Sequence, residues 1–168
     1  MQPSVTIRPI DAYLNQYAES HQHPVNKLIH WICVPLIVFS LLGLVWAIQV
    51  PHVGFLGKMN GYINLATFLI LFSMLYYIRL SVRLAFAMGL TILVFSAGII
   101  TLEKQHRLAG WPDMWEVCAV IFVLAWAGQF IGHKIEGKKP SFLQDLKFLL
   151  IGPVWLWHFV FKKLNIRY

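Results

Sequence analysis

The sequence predicts an all-α, polytopic membrane protein with about four transmembrane helices, an N-terminal amphipathic helix and a C-terminal re-entrant or interfacial segment. Hydrophobic residues make up 58% of the 168 residues and charged residues only 12%, whereas a soluble domain has about 45–50% apolar and about 25% charged residues. Four long apolar stretches and an asymmetric distribution of basic residues agree with this class. The length allows a single integral-membrane domain, residues 1–168.

The four stretches are close to the roughly 20 residues that cross a bilayer core. They run from about Leu28 to Val50, Tyr62 to Ile78, Leu84 to Leu102 and Trp115 to Ile131. A fifth stretch, Phe148 to Phe161, is shorter and contains Gly152-Pro153. We therefore predict a broken helix there, in a re-entrant or interfacial segment.

The basic residues set the predicted orientation. If both termini face the cytoplasm, eleven basic residues lie inside: Arg8, Lys27, Arg79, Arg83, Lys134, Lys138, Lys139, Lys147, Lys162, Lys163 and Arg167. Three lie outside: Lys58, Lys104 and Arg107. This is the positive-inside pattern, so the net charge of +7 indicates contact with membrane lipids and not with nucleic acid. The compact tails predict a bacterial inner membrane, or the endoplasmic reticulum for a eukaryotic chain.

An amphipathic helix is predicted before the first span. Ile10, Tyr13, Leu14, Tyr17 and His21 follow the spacing i, i+3, i+4, i+7 and i+11, which places them on one helix face lying on the membrane surface. Pro is favoured at the first position of a helix, so Pro24 should begin the next one. The break at Pro24 lets His21 and His30 converge, although nine residues separate them.

Histidines collect at the cytoplasmic edge of the predicted spans. Five of the seven fall there: His21, His23, His30, His133 and His158; His52 and His106 fall on the other side. Ionisable residues within a membrane protein are costly and usually functional, and imidazole is the commonest neutral metal ligand. The pattern therefore predicts a metal site at this edge, before any family is considered.

Polar side chains accompany these histidines. Asn26 lies four residues before His30, and Gln129, His133 and Glu136 share a helix face at i, i+4 and i+7. Gly128 and Gly132 form a small-xxx-small pair, which predicts a close helix contact. The free cysteines Cys33 and Cys118 lack a CxxC partner and are predicted to be packing residues.

Two motifs about 100 residues apart resemble those of a known family. They are His21-Gln-His-Pro-Val-Asn26-Lys-Leu-Ile-His30, followed by Val34-Pro35, and Gln129-Phe-Ile-Gly-His133 with Glu136 and Pro140, followed by Gly152-Pro153. Together they resemble the membrane 2-hydroxy fatty acid dioxygenases over nearly the whole chain. The resemblance implies an Fe(II)-dependent α-oxidation, in which a 2-hydroxy fatty acid and dioxygen give the acid one carbon shorter.

The resemblance also implies site residues. His21, His30 and His133 match the essential histidines and are the expected iron ligands, while Asn26, Gln129 and Tyr17 are expected to donate hydrogen bonds to ligands or to bound oxygen species. The family's acidic residue lies one position beyond Glu136, so Glu136 is either a fourth ligand or the partner of a histidine's second nitrogen. The family has a Glu near His158, which leaves His158 as a substitute ligand or a bystander.

Three other functions compete with this one, and the residues argue against the first. A di-iron desaturase or hydroxylase needs several HxxxH or HxxHH boxes, and the sequence contains none. A b-type haem protein could use His30 and His133 as axial ligands and carry electrons. A non-catalytic membrane scaffold or transporter would bind no metal.

Overall fold

The computed structural model describes residues 8–48, 54–55, 57, 63–137 and 142–168, and the regular elements in these ranges are α-helices. They are α1 (Pro9–Ala18), α2 (Pro24–Trp46), α3 (Leu65–Leu80), α4 (Val82–Ala109), α5 (Met114–Glu136) and α6 (Phe142–Lys163). The all-α prediction is confirmed. Several positions used in the sequence predictions lie outside the described residues: Val50, His52, Lys58, Tyr62, Lys138, Lys139 and Pro140.

Three of the described helices, α2, α4 and α5, are long and apolar enough to cross a membrane. Helix α3 is apolar but has 16 residues, or about 24 Å at 1.5 Å per residue, less than the roughly 30 Å of a bilayer core. Large apolar side chains such as Phe72, Phe86 and Leu93 remain largely exposed on α3 and α4, as expected for a surface that faces lipid. The chain is a helical membrane protein.

Four of the helices form two antiparallel pairs, α3 with α4 and α2 with α5. Only Ser81 separates α3 from α4, and its hydroxyl caps α4 by accepting from the Leu84 N–H at 3.4 Å. Farther from this turn, Met74 packs against Gly89. Helix α2 runs along α5, with Cys33 against Gly128 at one end and Cys118 against Gly43 at the other.

Glycines bring α2 and α5 close together. A Cβ at Gly128 would lie 2.7 Å from the Cys33 Sγ, and one at Gly132 would clash with the Asn26 side chain. The close contact predicted from this pair of glycines is confirmed. Both cysteines are free and buried, as expected for packing residues.

Helix α6 is continuous from Phe142 to Lys163, so the predicted break at Gly152-Pro153 is wrong. Pro153 has no N–H to donate, but a neighbouring helix contributes a hydrogen bond in the same turn: the Tyr77 hydroxyl donates to the Leu150 carbonyl at 3.1 Å. Residues 151–156 are all buried. Contacts with neighbouring helices therefore stabilise this segment of α6, although Pro153 leaves the Leu149 carbonyl without its usual helical donor.

Helix α1 is amphipathic, but the protein covers its apolar face. Ile10, Leu14 and Tyr17 are buried together with Ile151 and Trp155 of α6, while Tyr13 stays 37% exposed. The predicted amphipathic helix is therefore present, and its apolar face packs against α6.

Helix α2 begins at the residue that the sequence predicted. Pro24 is the first residue of α2, and the His23 side chain caps the helix by accepting from the Val25 N–H at 3.2 Å. The turn before it returns the chain toward α5 and places His21 beside α2.

Candidate metal centre

Three histidines from separate segments meet at one end of the α2–α5 pair. His21 lies in the turn after α1, His30 in α2 and His133 near the end of α5. Their potential ligand atoms all lie within 4.8 Å of one another, and the His21 and His30 side chains are each only 1% exposed. The convergence predicted from the break at Pro24 is confirmed.

Backbone carbonyls fix the orientation of two of these rings. The Nδ1 of His21 lies 2.6 Å from the Tyr17 carbonyl, and the Nδ1 of His30 lies 2.9 Å from the Asn26 carbonyl. A carbonyl only accepts, so each Nδ1 carries the proton and each neutral ring has its lone pair on Nε2. This is how a protein usually orients histidines that bind a metal.

The two Nε2 atoms lie 2.9 Å apart, with their lone pairs directed at the same small space. Burial lowers the pKa of His21 to about 4, so a proton shared between them is disfavoured near neutral pH. At a metal–nitrogen distance of about 2.1 Å, two neighbouring ligands are about 3.0 Å apart in octahedral geometry and about 3.4 Å apart in tetrahedral geometry. The residues present therefore fit a transition-metal ion, for which imidazole is a common ligand.

Glu136 holds the turn that carries His21. Its Oε1 accepts from the Gln22 N–H at 2.8 Å, and its Oε2 accepts from the His23 N–H at 2.8 Å. The Asn26 Nδ2 also donates to Oε2 at 3.0 Å. These bonds give Glu136 a role that differs from both sequence expectations, since it contacts the backbone next to His21.

Asn26 lies between this turn and α5. It is fully buried, and its Nδ2 also donates to the Ser20 carbonyl at 3.2 Å. Its Oδ1 is buried and accepts no hydrogen bond from the residues that the structure describes. This oxygen lies against Gly132, since a Cβ at that position would clash with it.

Aromatic rings surround His21. The Tyr17 ring stacks on it with centroids 4.0 Å apart and planes within 3°, and the Trp155 ring lies 5.6 Å away. Tyr17 also contacts His30 and Phe148 edge-on. The rings exclude water from this side of the cluster and hold the imidazole in place.

The structure does not bring His158 to the other three histidines. Its Nδ1 is hydrogen-bonded to the Tyr168 hydroxyl, in a cleft that also includes Arg8. Gln129 lies one turn before His133 and is buried. It faces the cavity described next.

An apolar cavity of about 520 Å³ begins at the histidines and extends between α2, α5 and α6. Its wall includes the three histidines, Tyr17, Gln129, Lys134 and the apolar residues Val34, Ile37, Val38, Trp126, Phe130, Phe148 and Leu149. Its size is typical of a small-molecule site, in which a few polar groups sit in a mostly apolar wall. The site can hold a ligand with one polar end and an apolar body.

Residues 7–164 match the model of the Mpo1-like family, described as 2-hydroxy-palmitic acid dioxygenase Mpo1-like. The chain belongs to this family. It is also similar to 2-hydroxy-palmitic acid dioxygenase MPO1 of Saccharomyces cerevisiae, with 26% identity over 153 residues that cover 89% of this chain and 78% of the yeast protein. No solved structure matches the chain.

Sequence reasoning missed part of the site in this Mpo1-like chain. Trp155 contacts both Tyr17 and His21, yet the assumed break at Gly152-Pro153 removed the signal that would have identified it. Ile151, Trp155 and His158 follow an i, i+4, i+7 spacing that only a continuous helix makes meaningful. Trp126 lies three residues before Gln129 and seven before His133, a helical spacing that could have placed it on the same face.

Proposed function

We propose that the chain is an Fe(II)-dependent dioxygenase that converts a 2-hydroxy fatty acid into the fatty acid one carbon shorter. The main observation in its support is the convergence of His21, His30 and His133 at the polar end of an apolar cavity. The name of the yeast relative, a 2-hydroxy-palmitic acid dioxygenase, supports the substrate class.

The proposed reaction balances without an added reductant. The bond between the carboxyl carbon and the hydroxyl-bearing carbon breaks, the carboxyl carbon leaves as carbon dioxide, and the adjacent carbon becomes the new carboxyl. These two carbons together lose four electrons, which reduce dioxygen completely, with one oxygen atom leaving as water. The 2-hydroxy acid and dioxygen are therefore the only substrates needed.

Iron held by the three histidines would supply the dioxygen chemistry and a Lewis-acidic site for the substrate's hydroxyl and carboxylate oxygens. The chain's own residues place the substrate. Lys134 lines the cavity beside His133 and puts a positive charge near the carboxylate, while the apolar wall between Val34 and Phe130 binds the acyl chain and excludes water.

Two polar residues are proposed to orient the reacting end. Asn26 acts through its backbone carbonyl, which accepts from the His30 Nδ1, and Gln129 faces the cavity one turn from His133. Tyr17 keeps the His21 ring in position, and Glu136 holds the backbone of the two residues directly after His21. Such positioning matters because a small misplacement of reacting groups can cost about a hundredfold in rate.

The haem alternative is less well supported. The ring centroids of His30 and His133 are 5.0 Å apart, and the His21 ring lies 4.2 Å and 5.2 Å from them. This arrangement leaves no room for a porphyrin between two axial ligands. A scaffold without metal does not account for three imidazoles directed at one another.

We propose that the histidine end of the bundle faces the cytoplasm. Lys27, Arg79, Arg83 and Lys134 lie at the helix ends on this side, whereas Lys104 and Arg107 lie near the opposite end of α4. This distribution agrees with the positive-inside rule. Labelling of single cysteines at Lys27 and Arg107 by an impermeant reagent on intact cells tests the orientation: only the cysteine at position 107 is expected to react from outside.

The proposal is tested by an assay of the purified protein in detergent. Iron-loaded wild type is expected to shorten a 2-hydroxy fatty acid only when oxygen is present, and His133→Ala is expected to lose at least about a thousandfold of this activity. His106→Ala is the matched control, since His106 binds Trp111 and Asp113 in the loop between α4 and α5. An inactive wild type would refute the function, and full activity of His133→Ala would refute the site.

A further inference from the structure

A second cavity lies beside the first, between α2, α4 and α6. It measures about 220 Å³, and its described wall is apolar apart from Thr91 and the indole N–H groups of Trp31 and Trp157. Thr91 and Trp157 pair with each other, because the Trp157 Nε1 donates to the Thr91 Oγ1 at 3.0 Å. Apart from the Trp31 indole N–H, the described wall therefore offers a ligand apolar surface, which suits a hydrocarbon chain.

The two cavities share part of their walls. Val34 and Val38 of α2 line both, and they are one helical turn apart on the same face. Helix α6 crosses α2 at Val34, where a Cβ added to Gly152 would lie 3.5 Å from the Val34 Cγ1. The cavities thus lie on either side of one ridge of two valines.

The first cavity is short for an extended long-chain acid. From His30 to Val38 is eight residues, or about 12 Å along the helix axis. A staggered hydrocarbon chain with C–C bonds of about 1.5 Å advances about 1.3 Å per carbon. A chain with its polar end at the histidines therefore reaches Val38 after about nine carbons.

We propose that the distal part of a long acyl chain passes over Val38 into the second cavity, and that this cavity sets the enzyme's preference for long chains. The inference rests on the proposed function, because it assumes that the polar end of the substrate lies at the histidines. The continuity of the apolar wall through Val34 and Val38 identifies the occupant as the tail of the same molecule. A membrane lipid chain in the second cavity is the competing occupant.

Larger side chains placed along the proposed route of the acyl chain test the proposal. Val38→Phe narrows the passage between the two cavities. Val160→Phe fills the second cavity alone, since Val160 does not line the first. Leu36→Phe is the control, because Leu36 is on the same helix, is 39% exposed and lines neither cavity.

The readout is kcat/KM for 2-hydroxy acids from eight to eighteen carbons, expressed as the ratio of the longest to the shortest acid. This ratio is independent of the folded fraction, because both values come from one preparation. We expect it to fall about tenfold or more in Val38→Phe and in Val160→Phe, since several methylenes lose their burial, and to stay at the wild-type value in Leu36→Phe. A wild-type ratio in both cavity variants would mean that the chain folds back within the first cavity, or that a lipid fills the second, and would overturn the proposal.

A binding experiment separates this inference from the proposed function. A 2-hydroxy hexadecanoic acid with a diazirine near its methyl end is photolysed with the wild type, and the labelled residues are mapped by mass spectrometry. We expect labels around Phe95 and Val160. Labels confined to the first cavity would overturn the inference even in an active enzyme, whereas labels in the second cavity of a wild type without activity would refute only the proposed reaction.

Discussion

At the end of the α2–α5 pair far from the histidines, Gly43 of α2 makes room for sulfur. A Cβ at this position would clash with the Cys118 Sγ and lie 3.5 Å from the Met114 Sδ. At the histidine end, Gly132 of α5 makes room for the buried amide of Asn26. The same pair of helices therefore forms an apolar contact at one end and a polar one at the other.

This difference separates the residues whose presence is explained by helix packing alone from those that need another explanation. Small residues that let apolar side chains approach are sufficient for helix association in a membrane, and the far end needs nothing else. Burying an amide and three imidazoles is costly, and we propose that a ligand bound by those groups offsets this cost at the histidine end. Each prediction below changes one of these two ends and compares the effects.

The largest contrast is expected between Gly132→Ala and Gly43→Ala. Both add a methyl group where a side chain already lies, and overpacking of this kind costs about 1–3 kcal/mol. In Gly132→Ala the displaced residue is Asn26, whose carbonyl orients His30, so activity per folded molecule should fall about a hundredfold. Gly43→Ala should lower the thermal midpoint but leave that specific activity unchanged.

Cys118→Ala in the Gly43→Ala background completes this comparison, because it removes the sulfur that the new methyl group meets. The thermal midpoint should recover. Equal specific activities for the two glycine variants would show that packing alone explains the histidine end as well as the far end.

The next effect is expected for Glu136→Gln. The amide has one acceptor in place of two, so it cannot satisfy both the Gln22 and His23 N–H groups and the Asn26 amide. Loss of such a supporting contact typically costs about 10–100-fold in metal affinity, which an iron titration measures.

Glu116→Gln is the control for this charge change. Glu116 caps α5 at the far end by accepting from the Asp113 N–H, so its loss should affect stability and leave iron affinity at the wild-type value. If Glu136→Gln binds iron as tightly as Glu116→Gln, Glu136 does not position the His21 turn.

A smaller effect is expected for the ring that stacks on His21. Tyr17→Leu removes the stacked ring, a contact worth about 0.5–1.5 kcal/mol beyond its buried area, and should weaken iron binding up to about tenfold. Tyr17→Phe keeps the stacked ring and should lose less. The account of Tyr17 would be wrong if Phe and Leu weakened iron binding equally.

The smallest effect is expected for His158→Ala. The substitution removes the hydrogen bond to Tyr168, worth about 1 kcal/mol of stability, and should leave the iron content of the purified protein unchanged. Loss of iron from this variant would make His158 a ligand after all.

The sequence predicted the parts of the fold and the site that depend on local patterns. Composition and apolar runs identified a helical membrane protein, and the break at Pro24 brought His21 and His30 together as predicted. Both depend on properties of short segments, namely hydrophobicity and the preference of proline for a helix start.

Long-range contacts explain what the sequence did not reveal. Pro153 is accommodated in a continuous helix whose residues 151–156 are buried by neighbouring helices, and Tyr77, from a distant part of the chain, donates to the Leu150 carbonyl nearby. Glu136 holds the turn at Gln22 and His23, more than a hundred residues away. One sequence contains no signal for either pairing, so α6, Trp155 and the role of Glu136 needed the three-dimensional arrangement.

Iron analysis of the purified chain tests the central claim most directly. His21→Ala, His30→Ala and His133→Ala are each compared with wild type and with His106→Ala after anaerobic loading with Fe(II) and removal of free metal. The account predicts stoichiometric iron in wild type and in His106→Ala, and its loss in each of the three other variants. Wild type without bound iron, or equal iron in all five proteins, would contradict it.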